Sequence, residues 1–215
     1  MRLSVVFAIL VAAFALCSLA SAQQGDAYIG GGTLLSSSAS SSTVIPGTNC
    51  GTDAQGGVLC PEKGGTYLNV GADVIFRNRI GAAFDVNWKA SQGALGGQVP
   101  YRPILVDING VFQPRLGKKA GLDLFGGIGW QSTRLYSGNY QCSYFSCTNF
   151  VSSKHFLVDV GAGIRYYVWG HVFFRPEARF YHILNNTDTS STGIGFTSNN
   201  VVRVGASIGY TIGPE

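Results

Sequence analysis

Ionised side chains are scarce in this chain. Asp, Glu, Lys and Arg together make up 12% of its 215 residues, about half the share of an ordinary globular domain. So little charge does not suit the surface of a cytosolic globule. A disordered chain is excluded as well, because aromatics also reach 12% and disorder goes with high net charge and few aromatics. The 30 glycines follow no G-X-Y period, which rules out a collagen-like rod. No apolar run long enough for a membrane helix follows residue 22. Phosphate loops, dinucleotide fingerprints and C-x2-C knuckles are missing too, so no cofactor or metal is expected, and nothing marks a nucleic-acid partner. Part of the solvent around this chain is therefore something other than water.

The first segment reads as an address. Met1-Arg2 is a short positive start, Val5 to Leu16 is apolar, and Ala20-Ser21-Ala22 is a small-x-small cleavage pattern. A membrane anchor is the rival, but the run is short and polar Gln23-Gln24 follow it without a positive flank. Cys17 does not make a lipoprotein site, because bulky Leu16 precedes it. Residues 1–22 are read as a signal peptide cleaved near Ala22, and residues 23–215 as one domain.

Beyond that point four cysteines remain, Cys50, Cys60, Cys142 and Cys147, in two local pairs within Ser/Thr/Asn/Gly-rich stretches. Three connectivities exist. Closure within each stretch has the smallest loop-entropy cost, and the spacings lack the histidines of a zinc site. Disulfides Cys50–Cys60 and Cys142–Cys147, formed in an oxidising compartment, are expected.

Eight segments alternate with period two, the mark of a strand with one apolar face. Leu68, Val70, Ala72, Val74 and Phe76 share one parity against Asn69, Gly71 and Asp73. Ile80 to Lys89, Ile104 to Gln113, Leu122 to Gln131, Phe156 to Tyr166, Val172 to Phe180 and Val202 to Tyr210 repeat the pattern, and Asp26 to Leu35 is a weaker first member. Glycines at 30–32 and at 126, 127 and 129 lie on these strands, where they relieve crowding. Pro176 removes a ladder donor and predicts a local bulge.

Short links at Arg77–Arg79, Pro114–Lys119 and Val168–His171 alternate with long ones at roughly Ser36–Gly65, Ser91–Pro100, Leu135–Ser153 and Leu184–Asn199. An even number of strands of about ten residues, with short turns at one end and long loops at the other, is the pattern of a membrane barrel. A bilayer forbids open strand edges, so the sheet must close. A soluble sandwich would need a charged outer face and shorter strands. On the apolar parity, Phe76, Phe112, Tyr166, Phe174 and Tyr210 fall near the short-turn ends, while Trp88, Trp130, Phe156 and Phe180 fall near the long-loop ends. These form two aromatic girdles.

The last strand, Arg203-Val204-Gly205-Ala206-Ser207-Ile208-Gly209-Tyr210, matches polar-x-Gly-x-x-apolar-x-aromatic at every position. On it, and on the eight strands, the chain resembles the eight-stranded outer-membrane barrels of the OmpA/OmpX- and OmpW-like, or porin-family, type over nearly all of residues 23–215. The resemblance implies an all-β, up-and-down, antiparallel transmembrane barrel with four long outer loops and three short periplasmic turns. It also implies residence in the bacterial outer membrane and recognition of Arg203–Tyr210 by the barrel-insertion machinery. The chain continues to Glu215 instead of ending on the aromatic, and it carries no peptidoglycan-binding portion of the OmpA type.

Parity turns Asp73, Asp85, Asp107, Asp123, Asp159 and Glu177 inward, together with Lys89, Arg165, Arg175, Arg179 and Arg203. The bore of such a barrel is just wide enough for side chains to fill, and each buried charge needs a partner. A hydrogen-bonded plug is the expected reading. A selectivity lining would show one dominant sign. Arg102, Arg134 and Lys154 fall on the outward face at the outer ends of their strands. There, basic side chains snorkel and can meet phosphates of lipopolysaccharide, against the plainer reading of three scattered, solvated residues. Of the histidines, His155 and His182 fall near the outer rim, and neither begins a His-x-Ser pair (Leu157 and Leu184 follow), so no catalytic residue is assigned. Two roles remain. One is a plugged scaffold with a structural or adhesive role, whose serine- and aromatic-rich loops meet an unidentified surface ligand. The other is a small channel for solutes.

Overall fold

The computed structural model describes residues 24–36, 50–52, 58–76, 79–95, 99–143, 146–184, 194–196 and 198–213. The signal segment at 1–22 lies outside the described residues. No described helix is long and apolar enough to cross a membrane; strands make up the structure.

In chain order these are β1 (Gln24–Ser36), β2 (Gly51–Thr52), β3 (Val58–Cys60), β4 (Tyr67–Ile75), β5 (Ile80–Lys89), β6 (Gly93–Leu95), β7 (Val99–Phe112), β8 (Ala120–Ser143), β9 (Ser146–Trp169), β10 (Val172–Ile183), β11 (Ile194–Phe196) and β12 (Asn200–Ile212). The eight long strands pair antiparallel in the order β5-β4-β1-β12-β10-β9-β8-β7, and β5 pairs with β7 to close the ring. Closure satisfies every edge, which is what a bilayer demands of a sheet. The first and last strands meet at Gly25↔Ile212, so β1 begins and β12 finishes at the end with the short turns.

Strand faces follow the alternation. Ile29, Val70, Phe84, Ile108, Ile128, Val160, Ile164 and Ile208 are exposed, as lipid-facing side chains are, while the other parity is buried. The bore is narrow, and its glycines fit it by size. Tyr28 stands directly across from Gly71 and Gly209, and Phe173 across from Gly209. Gly161 lies between Phe125 on β8 and Arg179 on β10. A Cβ at Gly161 would sit 2.7 Å from Arg179 Cγ. Large side chains thus face glycine on the neighbouring strand, and the glycine excess follows from volume.

Three expectations change. Pro176 causes no bulge. The register is the same on either side of it, at Phe174↔Tyr166 and Glu177↔Gly163, and the irregularity falls between Val172 and Phe173. Proline withholds one ladder donor without needing an extra residue. Leu135–Ser153 is mostly strand, because β8 and β9 each run for 24 residues and pair out to Ser143↔Ser146. At about 3.3 Å per residue, this hairpin rises roughly 25 Å beyond Leu135. Among the described residues its outer edges have no ladder partner further out: β7 reaches β8 as far as Leu135, and β10 reaches β9 to Leu157, with Leu184 N–H donating to Phe156 O just beyond. The first loop is not featureless either, since β2, β3 and β11 form a small sheet in which β11 runs parallel to β3.

Volume in the bore yields a paired test. Gly161→Val should destabilise the barrel by about 1–3 kcal/mol through overpacking. Gly126→Val points to lipid with nothing within 4 Å and should be tolerated. Urea unfolding in lipid vesicles compares the two.

Candidate functional site: the filled bore and its outer rim

The bore is filled in layers, starting at the short-turn end. Arg165 on β9 pairs with Asp26, with Asp73 at 3.2 Å and with Asp123 at 3.0 Å. Gln113 donates to Asp123 at 2.9 Å, and the guanidinium lies 4.2 Å from the centre of the Phe173 ring. Next, Arg175 reaches Asp73 and Asp123 at 3.4 Å and Glu177 at 3.1 Å. It is sandwiched by Tyr28 at 4.0 Å and Phe125 at 5.1 Å. Glu177 also accepts from Arg203 at 2.5 Å and lies 3.6 Å from Arg179 Nε. Arg179 completes the set with Asp85 at 2.7 Å, Asp107 at 3.0 Å and Asp159 at 4.0 Å. Asn69 and Asn109 donate to Asp85 and Asp107.

Asp26 is on β1, Asp73 on β4, Asp85 on β5, Asp107 on β7 and Asp123 on β8. Asp159 and Arg165 are on β9, Arg175, Glu177 and Arg179 on β10, and Arg203 on β12. Every strand of the ring therefore contributes a charge, and the ion pairs tie strands together across the bore. All of these side chains are buried.

Lys89 belongs elsewhere. It donates to the Tyr101 hydroxyl at 3.3 Å and sits at the long-loop end, apart from the arginine cluster. Between lies a layer made of Leu34, Tyr67, Leu105, Leu157, Tyr181, Ile183 and Val201, each 0–1% exposed. Above it Gln131 donates to both carboxylate oxygens of Glu62 at 2.7 and 2.8 Å. The small sheet covers this end. A disulfide joins Cys50 to Cys60, and both pack with Tyr101 and Phe196 against Val58 and Leu135. Cys142 and Cys147 are directly opposite each other in the β8–β9 ladder, but their side chains lie outside the described residues.

On the outward face Arg102 stands directly opposite Arg134, while Arg134 faces Ser152 and Lys154 faces Ser132. The three bases thus form one patch across β7, β8 and β9. Arg134 lies 4.8 Å over the Phe150 ring, and Phe150 packs against Tyr136. Two like charges directly across a ladder repel. Arg102 Nε is buried without a hydrogen-bond partner. His182 pairs with Asn200 at 2.8 Å, His155 stands across from Gln131, and His171 lies in the last short turn. No group of three metal-ligating side chains occurs among the described residues.

Strand parity does not reveal several members of this site. Asp26 and Tyr28 lie on the glycine-blurred first strand. Glu62 lies in a loop. The apolar layer has a legible sign, because alternation fails at the outer strand ends, as in Leu34-Leu35, Leu157-Val158 and Val201-Val202, and a strand buried on both faces reads as a continuous apolar run.

A family model described as the outer membrane protein beta-barrel domain matches residues 6–208. The chain belongs to that family. It is an integral β-barrel of the bacterial outer membrane, so its short turns are periplasmic and its long loops outer. Among solved structures, a major outer membrane protein of Thermus thermophilus is similar with a TM-score of 0.57 at 9% identity, covering 89% of this chain and 100% of that one. Neisserial surface protein A is similar at 0.53 and 11% identity, covering 87% and 96%. At such identities the likeness is one of fold. No curated protein matches the sequence.

Glu177 is the pivot of three guanidiniums. Glu177→Ala takes away the carboxylate that Arg203 pairs with, while Arg175 and Arg179 keep their aspartates, and should destabilise the barrel by about 3–5 kcal/mol. A double-mutant cycle with Arg203→Ala should show strong coupling in urea unfolding.

Proposed function

We propose that this barrel is a non-conducting, non-enzymatic scaffold that presents its outer elements to a partner at the cell surface. The apolar layer carries this reading. Seven side chains from six strands of the ring close the bore with no charged group among them, and a stapled sheet lies above. Conduction needs a hydrated, continuous path. The β8–β9 hairpin supports the presenting role, because its two edges, without a ladder partner among the described residues, offer backbone donors and acceptors for strand addition by an extended partner. We further propose that a signal peptide is removed near Ala22, that the insertion machinery reads Arg203–Tyr210, and that a second disulfide, Cys142–Cys147, staples the hairpin near its tip.

In planar bilayers the purified protein should give no steady conductance. A stable open level would favour the small-channel reading instead. Peptide mapping without reduction should recover Cys142 joined to Cys147, and recovery of Cys142 joined to Cys50 or Cys60 would refute local pairing.

Arg102, Arg134 and Lys154 are proposed to seat the barrel in lipopolysaccharide. Mutual repulsion of the two arginines and the partnerless Arg102 Nε both favour an anion between them, and phosphate forms strong charge-assisted bonds with guanidinium. The triple alanine variant should fold in detergent and lose the thermal stabilisation that added lipopolysaccharide gives the parent. Undiminished stabilisation would reject the site.

A further inference from the structure

The distribution of charge outside the bore points to a second lipid contact at the opposite end. Every Asp and Glu among the described residues is buried, so the described surface carries bases without acids. Four of those bases, Arg79, Arg115, Lys118 and Lys119, are exposed on two neighbouring periplasmic turns. No described acid lies within ion-pair distance of any of them. Backbone bonds fix their places. Gln113 N–H donates to Arg79 O at 2.8 Å, which ties the first turn to the second, and Tyr167 N–H donates to Lys119 O at 2.9 Å, which ties the second to β9. The four cations therefore lie along one side of the rim, where Arg115 and Lys118 also border a small cavity at the mouth of the bore beside Gln24 and Tyr167.

Their neighbours set the depth at which they lie. Leu116, between Arg115 and Lys118, is 62% exposed, and Trp169 in the third turn is 83% exposed. Phe76, Phe112, Tyr166 and Tyr210 are exposed one to a few residues further into the strands. A turn that dipped into water would not hold out leucine and tryptophan. Apolar tips among cations are the composition of a segment lying in the head-group region.

We infer that the periplasmic turns form a collar that binds anionic phospholipid head groups of the inner leaflet of the outer membrane. Arg79, Arg115, Lys118 and Lys119 meet the phosphates, while Leu116 and Trp169 insert beside the acyl chains. The collar gathers these lipids laterally, and each cation contributes roughly fivefold to the electrostatic attraction. A cell-wall polymer is the other anionic neighbour on this side, but it lies in water and gives exposed Leu116 and Trp169 nothing to enter.

The test uses the full barrel in nanodiscs of mixed phosphatidylcholine and phosphatidylglycerol, with lipids retained after detergent extraction counted by native mass spectrometry. The unmodified protein should retain phosphatidylglycerol well above its share of the mixture. The variant Arg115→Gln/Lys118→Gln/Lys119→Gln, checked for folding by heat-dependent gel mobility, should lose about fivefold or more of that enrichment. Lys63→Gln, an exposed cation at the long-loop end, should leave it unchanged. No enrichment in the unmodified protein overturns the inference without reference to any variant. Full retention in the collar variant overturns it as well. So does co-sedimentation with purified peptidoglycan that is lost in the collar variant while its lipid retention stays unchanged.

Discussion

A guanidinium taken out of water inside a barrel too narrow for a water column must find its partners on the surrounding strands, and much of this structure follows from that need. Arg165, Arg175, Arg179 and Arg203 are each 0–1% exposed. Their carboxylate partners come from strands all around the ring. A buried ion pair is a weak source of net stability, because desolvation offsets much of the attraction. Its effect here is on register. A slip by one residue on any strand would turn its charge to lipid and an apolar side chain to the bore, and each slip would strand a charge on another strand. The network therefore singles out one closed arrangement among the many pairings that glycine-rich strands allow.

The same constraint explains what could be read from the residues alone. Strand number, order of connections and inward parity follow from alternation, because a bilayer outside and a polar bore inside impose opposite demands on successive residues. Asp73, Asp85, Asp107, Asp123, Asp159, Arg165, Arg175, Glu177, Arg179 and Arg203 stand out for this reason. Where the two environments become alike, the pattern goes silent. At the outer strand ends both faces are apolar, so Leu34, Leu105, Leu157, Ile183 and Val201 look like lipid-facing residues or noise. Lys89 has the right parity for the charged cluster, but parity carries no height, and the layer beneath it separates it from the aspartates that hold the arginines. The long hairpin of β8 and β9 hides because its polar composition resembles a loop. The β3–β11 pairing joins segments more than a hundred residues apart, a separation that no local pattern encodes.

Acids and bases are sorted by place. Acids among the described residues go to the bore and its cap, whereas bases are divided between the bore and the two rims. Lipopolysaccharide in one leaflet and anionic phospholipid in the other give both rims a net negative surface, so an exposed carboxylate at either rim would meet like charge. The lack of exposed acids among the described residues is then a consequence of the solvent. The low overall charge and the basic balance seen in the composition are two views of the same fact.

The order of the layers also has a physical logic. Ion pairs strengthen as the surrounding dielectric falls, and networks of them are costly when only partly satisfied. An apolar layer on the outer side and the stacked rings of Tyr28, Phe125 and Phe173 within the cluster both keep water away from the carboxylates. The glycines opposite those rings let the rings lie flat against the guanidiniums at 4.0–5.1 Å. Replacing the rings by small residues would admit water and weaken every pair at once, while enlarging the glycines would push the rings off. The arginines, the aromatics and the glycines of the bore are therefore one device, in which the smallest residue sets how closely the largest can pack around a charge.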